Sequence, residues 1–440
     1  MDLTWQPQQS LPAPRQSTTA TADADVCAPE GSAMWACLEQ DWMGNQAILD
    51  QVCLADEVSE DPDLGAEVDA LAEEEAEALA PETGAEEQAE AAPEAEACKA
   101  ADFSGRVGCI FDQIDADGDG YLSEADIDQA MLRSDLSPED AAAVAMLKRY
   151  RTNLEETSND EYFDEDDGVT RADIAAYQAA LADLQQNGTP IPEDLASLEG
   201  MFQNSVARVN NTNHQLVAEG GPSLDAIHQG SVGSCSFLSA VGSMIDQKRG
   251  QELVDMITPN DDGTYTVTFP GRDPVTVDAP TNAELAYQAT SGQNGMWLPI
   301  LEKAYGRLRD DDNVVAADGA PGALRDAIGT LSGNDVDVDD NWATDTDTTH
   351  EKLSAAIAEG RLVTASQMGG DFEGIPGGHA YTVTDYDPTT RTVTLRNPWG
   401  HGERTDANGN VIHGPNDGVF TLTLEEFDDI YTDIAYEQKR

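Results

Sequence analysis

Between His228 and Ala240 the chain reads His-Gln-Gly-Ser-Val-Gly-Ser-Cys-Ser-Phe-Leu-Ser-Ala, a glycine-broken turn that runs straight into an apolar, small-residue segment. Val241, Met244 and Ile245 continue the apolar positions at helical spacing, which predicts a buried helix with Cys235 in its first turn. The first N–H groups of such a helix lack intrahelical partners, so they and the helix dipole favour a thiolate there. Gln229 supplies a side-chain amide that can converge with the Cys235 N–H on one spot, as an acyl-transfer oxyanion requires. The plainer reading is a small apolar cysteine packed at a helix start. A base further along the chain decides between them.

That base is His379. It opens an alternating run, Tyr381-Thr382-Val383-Thr384-Asp385-Tyr386, which predicts a strand. A turn at Asp387-Pro388-Thr389-Thr390 leads into a second strand, Thr392 to Arg396, that ends at Asn397-Pro398-Trp399-Gly400. A hairpin of this kind sets His379 beside Asn397, with Trp399 covering their hydrogen bond. Cysteine, histidine and asparagine in this order are a nucleophile, a base and an orienter.

Gln229-Gly230-x-x-Gly233-Ser234-Cys235, Gly378-His379-Ala380-Tyr381 and Asn397-Pro398-Trp399-Gly400 resemble the active-site blocks of the calpain family of cysteine proteases. Trp297, four residues, then Glu302-Lys303-Ala304-Tyr305 is similar to a calpain helix. The resemblance covers roughly the last half of the chain. Ser236 stands where calpains and papains carry Trp, and Ser234 replaces the calpain Asp. Val232 stands where papain-like enzymes place a disulfide cysteine, and Tyr381 and Pro398 follow the calpain spelling. The resemblance implies an α+β, papain-like two-lobe architecture with the thiol on a helical lobe and His379 and Asn397 on an antiparallel sheet lobe.

Upstream, Asp115-Ala-Asp-Gly-Asp-Gly-Tyr-Leu-Ser-Glu-Ala-Asp126 fits a twelve-residue EF-hand loop. Asp115, Asp117, Asp119, the Tyr121 carbonyl, Ser123 and Asp126 are the expected calcium ligands, with Gly120 at the sharp turn. Asp126 replaces the usual bidentate Glu, so weaker affinity is expected. Val107, Ile110, Phe111 and Ile114 before the loop, and Ile127, Met131 and Leu132 after it, have helical spacing. Phe163 to Ile174 echoes the loop's second half and is read as a degenerate partner. Helices over 141–154 and 172–184 complete a small all-α unit.

Charge sets the remaining limits. Lys+Arg 23 against Asp+Glu 85 gives a net −62, which excludes nucleic acid and anionic membranes as partners. The chain contains no apolar run near the roughly 18 residues of a membrane span. Its first residues lack the pattern of a signal peptide, so cytoplasmic location is the default, with non-classical secretion the alternative. Of the 6 cysteines, the five besides Cys235 are an odd number, and both disulfides and free thiols fit them. Residues 56–97 are almost entirely Glu, Ala, Asp and Pro, and with little to bury they read as disordered. That acidic stretch is either a solubilising spacer or an inhibitory pro-segment that the protein trims from itself.

The expected organisation is therefore a disordered acidic region over 1–100, an EF-hand pair over 101–186 and a linker over 187–215. A catalytic domain over 216–440 follows, its helical lobe at about 216–315 and its sheet lobe at about 316–440. The expected function is a calcium-linked cysteine endopeptidase acting on proteins or peptides. The alternative is an inactive protease scaffold serving as a calcium-binding or interaction module. Transglutamination is disfavoured, because its usual orienter is Asp rather than Asn397.

Overall fold

The computed structural model describes residues 100–158, 168–309, 323–340, 344–402, 404–405, 412 and 415–439. The readings of residues 1–99, and of the first part of the second loop at 163–167, lie outside these residues. Asp102 caps helix α1 (Phe103–Ile114) by accepting from the Gly105 N–H at 2.8 Å. Val107, Ile110, Phe111 and Ile114 form the buried face of α1 that their spacing predicts. The loop that follows ends in a two-residue strand, β1 (Tyr121–Leu122), paired antiparallel with β2 (Val169–Thr170). Each strand leads into a helix opened by a capping box, Ser123 with Asp126 for α2 (Glu124–Met131) and Thr170 with Asp173 for α4 (Arg171–Asn187). The two loops thus share one ending. Between them lies α3 (Pro138–Glu155), capped by Ser137 and buried along Ala141–Leu147.

Residues 187–215, expected as a linker, contain helix α5 (Leu198–Asn210). Leu198, Phe202 and Val209 are buried, and the Phe202 ring meets Phe103 edge-on at 6.1 Å. Leu198, Met201, Phe202, Val206 and Val209 recur at helical spacing, a pattern that the linker expectation overlooked, and burial against α1 and α3 holds the helix. One hydrophobic cluster runs from Phe103 through Leu147 and Phe202 to Leu238, Trp297 and Leu331. The upstream helices therefore share a core with the Cys235 region.

Helix α6 (Cys235–Asp246) lies in that core, buried from Cys235 through Ile245. It is followed by α7 (Gly250–Asp255) and a small antiparallel sheet of β3 (Ile257–Pro259), β4 (Tyr265–Val267) and β5 (Val275–Val277). Next come α8 (Asn282–Tyr287), α9 (Trp297–Arg309) and α10 (Ala323–Ser332). The Trp297 block that resembles a calpain helix lies on α9.

A six-stranded, wholly antiparallel sheet completes the α+β fold. Its strands are β6 (Asp335–Asp340), β7 (Val363–Gln367), β8 (His379–Asp387), β9 (Thr392–Arg396), β10 (Val419–Thr423) and β11 (Asp433–Gln438), in the order β10-β9-β8-β7-β11-β6. Successive side chains of β8 serve opposite faces. Thr382 donates to the Ser239 carbonyl of α6 at 2.8 Å, while Tyr381 and Val383 join a second apolar cluster with α11 (Thr346–Ala358) and α12 (Leu424–Ile430). After β10 come α12 and β11, and β11 inserts between β7 and β6. Its buried Glu437 hides the strand in the sequence and is satisfied by Arg249 and Asn334, both at 2.8 Å, and by the Leu362 N–H at 3.0 Å.

Helix α8 joins the upstream helices to the Cys235 turn. At its N-terminus Thr281 donates to the Met131 carbonyl at 2.6 Å, and Asn282 to the Leu136 carbonyl at 3.0 Å. At its C-terminus the Tyr287 carbonyl accepts from the Ser231 N–H at 2.6 Å. Among the described residues, no helix is long and apolar enough to cross a membrane.

Candidate active site

Cys235 occupies the first position of α6, 5% exposed, and is the free cysteine among the described residues; Cys109 is disulfide-bonded. Its neighbour across the site is the start of β8. The Ala380 N–H donates to the Cys235 sulfur, and so do the N–H and hydroxyl of Ser236. The helix start was expected to favour a thiolate. Burial instead pushes the Cys235 thiol above its ordinary range, outweighing those donors.

His379 begins β8 and its Nε2 lies 2.8 Å from Asn397 Oδ1. The amide cannot be turned over without losses, because Oδ1 also accepts from the Trp399 N–H at 3.0 Å while Nδ2 donates to the Gly402 carbonyl at 3.3 Å. An amide oxygen only accepts, so Nε2 carries the hydrogen and Nδ1 is left as the acceptor of the neutral ring. Trp399 covers the imidazole, ring centroids 4.4 Å apart.

Burial holds His379 down to about 4, against the Asn397 bond, with His401 adding to the depression. His228, beside Trp399, is also pushed down to about 4 by burial and then by Arg208. Above the unfolded value of about 6.5 both states are neutral. Between there and about 4 the unfolded chain takes up protons that the fold excludes, so stability falls as pH drops through that window. Melting temperature is expected to fall from pH 6.5 to 4 less steeply in His379→Gln than in the parent. Parallel curves would refute the depressed imidazole.

Gln229 is tied to the Asn397 segment: its N–H donates to the Pro398 carbonyl at 2.9 Å. Its side-chain Nε2 donates to the Val232 carbonyl at 2.8 Å, which employs one amide hydrogen and leaves the second. Gly400 packs on His228, where an added Cβ would sit 2.4 Å from the ring Nδ1. The Gln229 turn and the Asn397 turn are thus in direct contact. Glu302, which the sequence reading quoted only as part of a motif, is 0% exposed behind Cys235. It accepts from the Ser234 hydroxyl and from the Ala289 N–H at 2.7 Å, and burial pushes its carboxyl up against those bonds.

Residues 203–411 match the family model described as calpain family cysteine protease. This region is a calpain-family protease domain. The match begins inside α5, within the segment expected as a linker. The chain is similar to the calpain-type cysteine protease DEK1 of Zea mays, at 29% identity over 234 residues, 45% of this chain and 11% of that protein. It is 26% identical to calpain-5 of Mus musculus over 278 residues, 50% of this chain and 43% of that protein. It is 24% identical over 224 residues to the calpain-like protease palB/RIM13 of Debaryomyces hansenii, covering 47% of this chain and 26% of that protein. The chain therefore spans from about a tenth to under half the length of these calpain relatives.

Away from the calpain domain, one carboxylate oxygen each of Asp115, Asp117 and Asp119 lies within 4.8 Å of the others. Asp115 accepts from the Gly118 and Gly120 N–H groups at 2.8 and 3.0 Å, and both glycines have the positive φ this loop requires. Converging hard oxygens suit a divalent cation such as calcium. Asp126, expected as a further ligand, is instead turned into its capping box, with Oδ1 accepting from the Ala116 N–H at 3.1 Å. Ser123 donates its hydroxyl to Asp126.

Proposed function

We propose that the protein is a calcium-linked cysteine endopeptidase in which Cys235, His379, Asn397 and Gln229 carry the chemistry. The observation that carries this reading is the buried Nε2–Oδ1 bond between His379 and Asn397, with the Ala380 N–H on the Cys235 sulfur. Attack starts from a neutral thiol and imidazole. Cys235 Sγ bonds to the substrate carbonyl carbon as its proton passes to His379 Nδ1 and the carbonyl becomes an oxyanion. The Cys235 N–H and the second Gln229 amide hydrogen hold that oxyanion. Collapse breaks the C–N bond, and His379 returns the proton to the leaving amine. Water, giving a proton to His379, then cleaves the thioester and restores the thiol. A thiol reagent is expected to label Cys235 ahead of every other cysteine, with the label lost in His379→Ala. Labelling unchanged by that substitution would favour a scaffold without activity.

Residues 101–186 serve as an EF-hand pair in this reading, and α5 to β11 as the protease. Asp115, Asp117 and Asp119 would hold a calcium ion, which supplies positive charge that relieves their mutual repulsion. The chain's own residues carry the consequence onward. Loop and α2 lead to the Met131 and Leu136 carbonyls, these to Thr281 and Asn282, and α8 to the Ser231 N–H beside Gln229. Chelation is expected to lower both melting temperature and casein-cleaving rate, the rate by about tenfold, on the scale of a typical coupling free energy. Thr281→Ala is expected to keep the melting shift while losing much of the rate response. Equal rates with calcium and chelator would remove the calcium link and leave the peptidase intact.

A further inference from the structure

Ser234 stands at the N-cap of α6, where a serine normally turns its hydroxyl onto the helix's first free N–H groups. It makes no such bond. Its backbone, at φ −96° and ψ 14°, lies outside the extended conformation of a capping residue. The hydroxyl is instead drawn down to Glu302 Oε1, and both residues are 0% exposed. The other Glu302 oxygen holds the Ala289 N–H at 2.7 Å. Ala289 adjoins Thr290, whose N–H and carbonyl bond His228 at 2.9 and 3.1 Å. One carboxyl therefore restrains both flanks of the turn from His228 to Cys235. The first amides of α6 are left to the sulfur, as the Ser236 N–H demonstrates, and to a substrate oxyanion.

We infer that Glu302 is a positioning residue: by holding Ser234 out of the capping conformation, it keeps the N-terminal amides of α6 available to the Cys235 sulfur and to the oxyanion. This rests on the peptidase reading. A capping serine would compete for those amides, and loss of the Ala289 bond would let the Gln229 turn drift from Cys235.

The test is Glu302→Gln, Ser234→Ala and their double variant in the full chain. Three readouts apply: kcat and KM on a peptide, melting temperature, and the pH midpoint of Cys235 alkylation by iodoacetamide. Glu302→Gln is expected to raise the alkylation midpoint and lower kcat about tenfold with KM changed by less than about twofold, as for a misplaced reacting group. Ser234→Ala, which removes the competing hydroxyl, is expected to keep kcat within about twofold of the parent, and the double variant to recover part of what Glu302→Gln loses, because no hydroxyl is left to cap the helix. If Glu302→Gln does not fold, Glu302→Asp, whose shorter carboxyl reaches Ser234 less well, takes its place. A folded Glu302 variant with parental kcat and an unmoved alkylation midpoint, or a double variant that recovers nothing of the loss, overturns the inference. If the parent itself cleaves nothing, the peptidase reading fails, and the alkylation midpoint still reports whether Glu302 governs the sulfur's surroundings.

Discussion

Cys235→Ser is expected to lower cleavage of casein by about a thousandfold or more, with melting temperature close to that of the parent. The hydroxyl fits where the sulfur sits, since serine is no larger than cysteine and the Ala380 and Ser236 N–H groups serve either atom. What is lost is the polarisable nucleophile. His379→Ala is expected to fall by a similar factor, and the double variant no further, because a nucleophile without its base gains little from being present. Asn397→Ala should cost less: the ring loses the acceptor that fixes its tautomer, while β8 and the Trp399 cover remain. Substantial casein cleavage by Cys235→Ser would move the nucleophile elsewhere and dissolve the whole assignment.

The parts of this site that the sequence exposed are those in which one side chain does one job at a fixed distance from a turn. Cys235 at a helix start, His379 at the start of one strand and Asn397 just past the end of its neighbour follow from periodicity and hairpin spacing, and β8 and β9 form where the alternation places them. The loop acids Asp115, Asp117 and Asp119 converge for a similarly local reason, namely glycines that fold the chain back on itself. What escaped was decided by long-range burial. Helix α5 has a legible apolar face in Leu198, Met201, Phe202, Val206 and Val209, but its packing on Phe103 and α3 from far upstream is set by the tertiary fold. Strand β11 carries a buried glutamate near its end that Arg249, Asn334 and the Leu362 N–H make tolerable. Cys235 was expected to favour a thiolate from its helix start alone, yet neighbours distant in sequence bury the sulfur and reverse the direction. Asp126 was expected to ligate from its place in the motif, while the same carboxylate at the third helical position is claimed by the capping box.

Gly230→Ala is expected to be among the most damaging single methyls in the protein's catalytic half. A Cβ on Gly230 would lie 2.2 Å from both the Tyr287 and the Gln288 carbonyl oxygens. Neither oxygen can retreat cheaply. They close the C-terminus of α8, where the last carbonyls need partners: Tyr287 accepts from the Ser231 N–H at 2.6 Å and Gln288 from the Arg208 guanidinium. Accommodating the methyl must break these bonds or lift the Gln229 turn off α8, and the turn carries Gln229 with it. A loss of about 3 kcal/mol of stability is expected, at the upper end of overpacking costs. In whatever fraction folds, kcat should fall about a hundredfold, as when an oxyanion donor is removed. Gly108→Ala is the matched control, since that helical glycine has open space where its Cβ would go, and a gain of about 0.5–1 kcal/mol is expected. Thermal unfolding and peptide cleavage on the two variants read both effects. A Gly230→Ala protein that melts with the parent and keeps its kcat would mean that α8 does not brace the turn, and the path from the acidic loop to Cys235 would go with it.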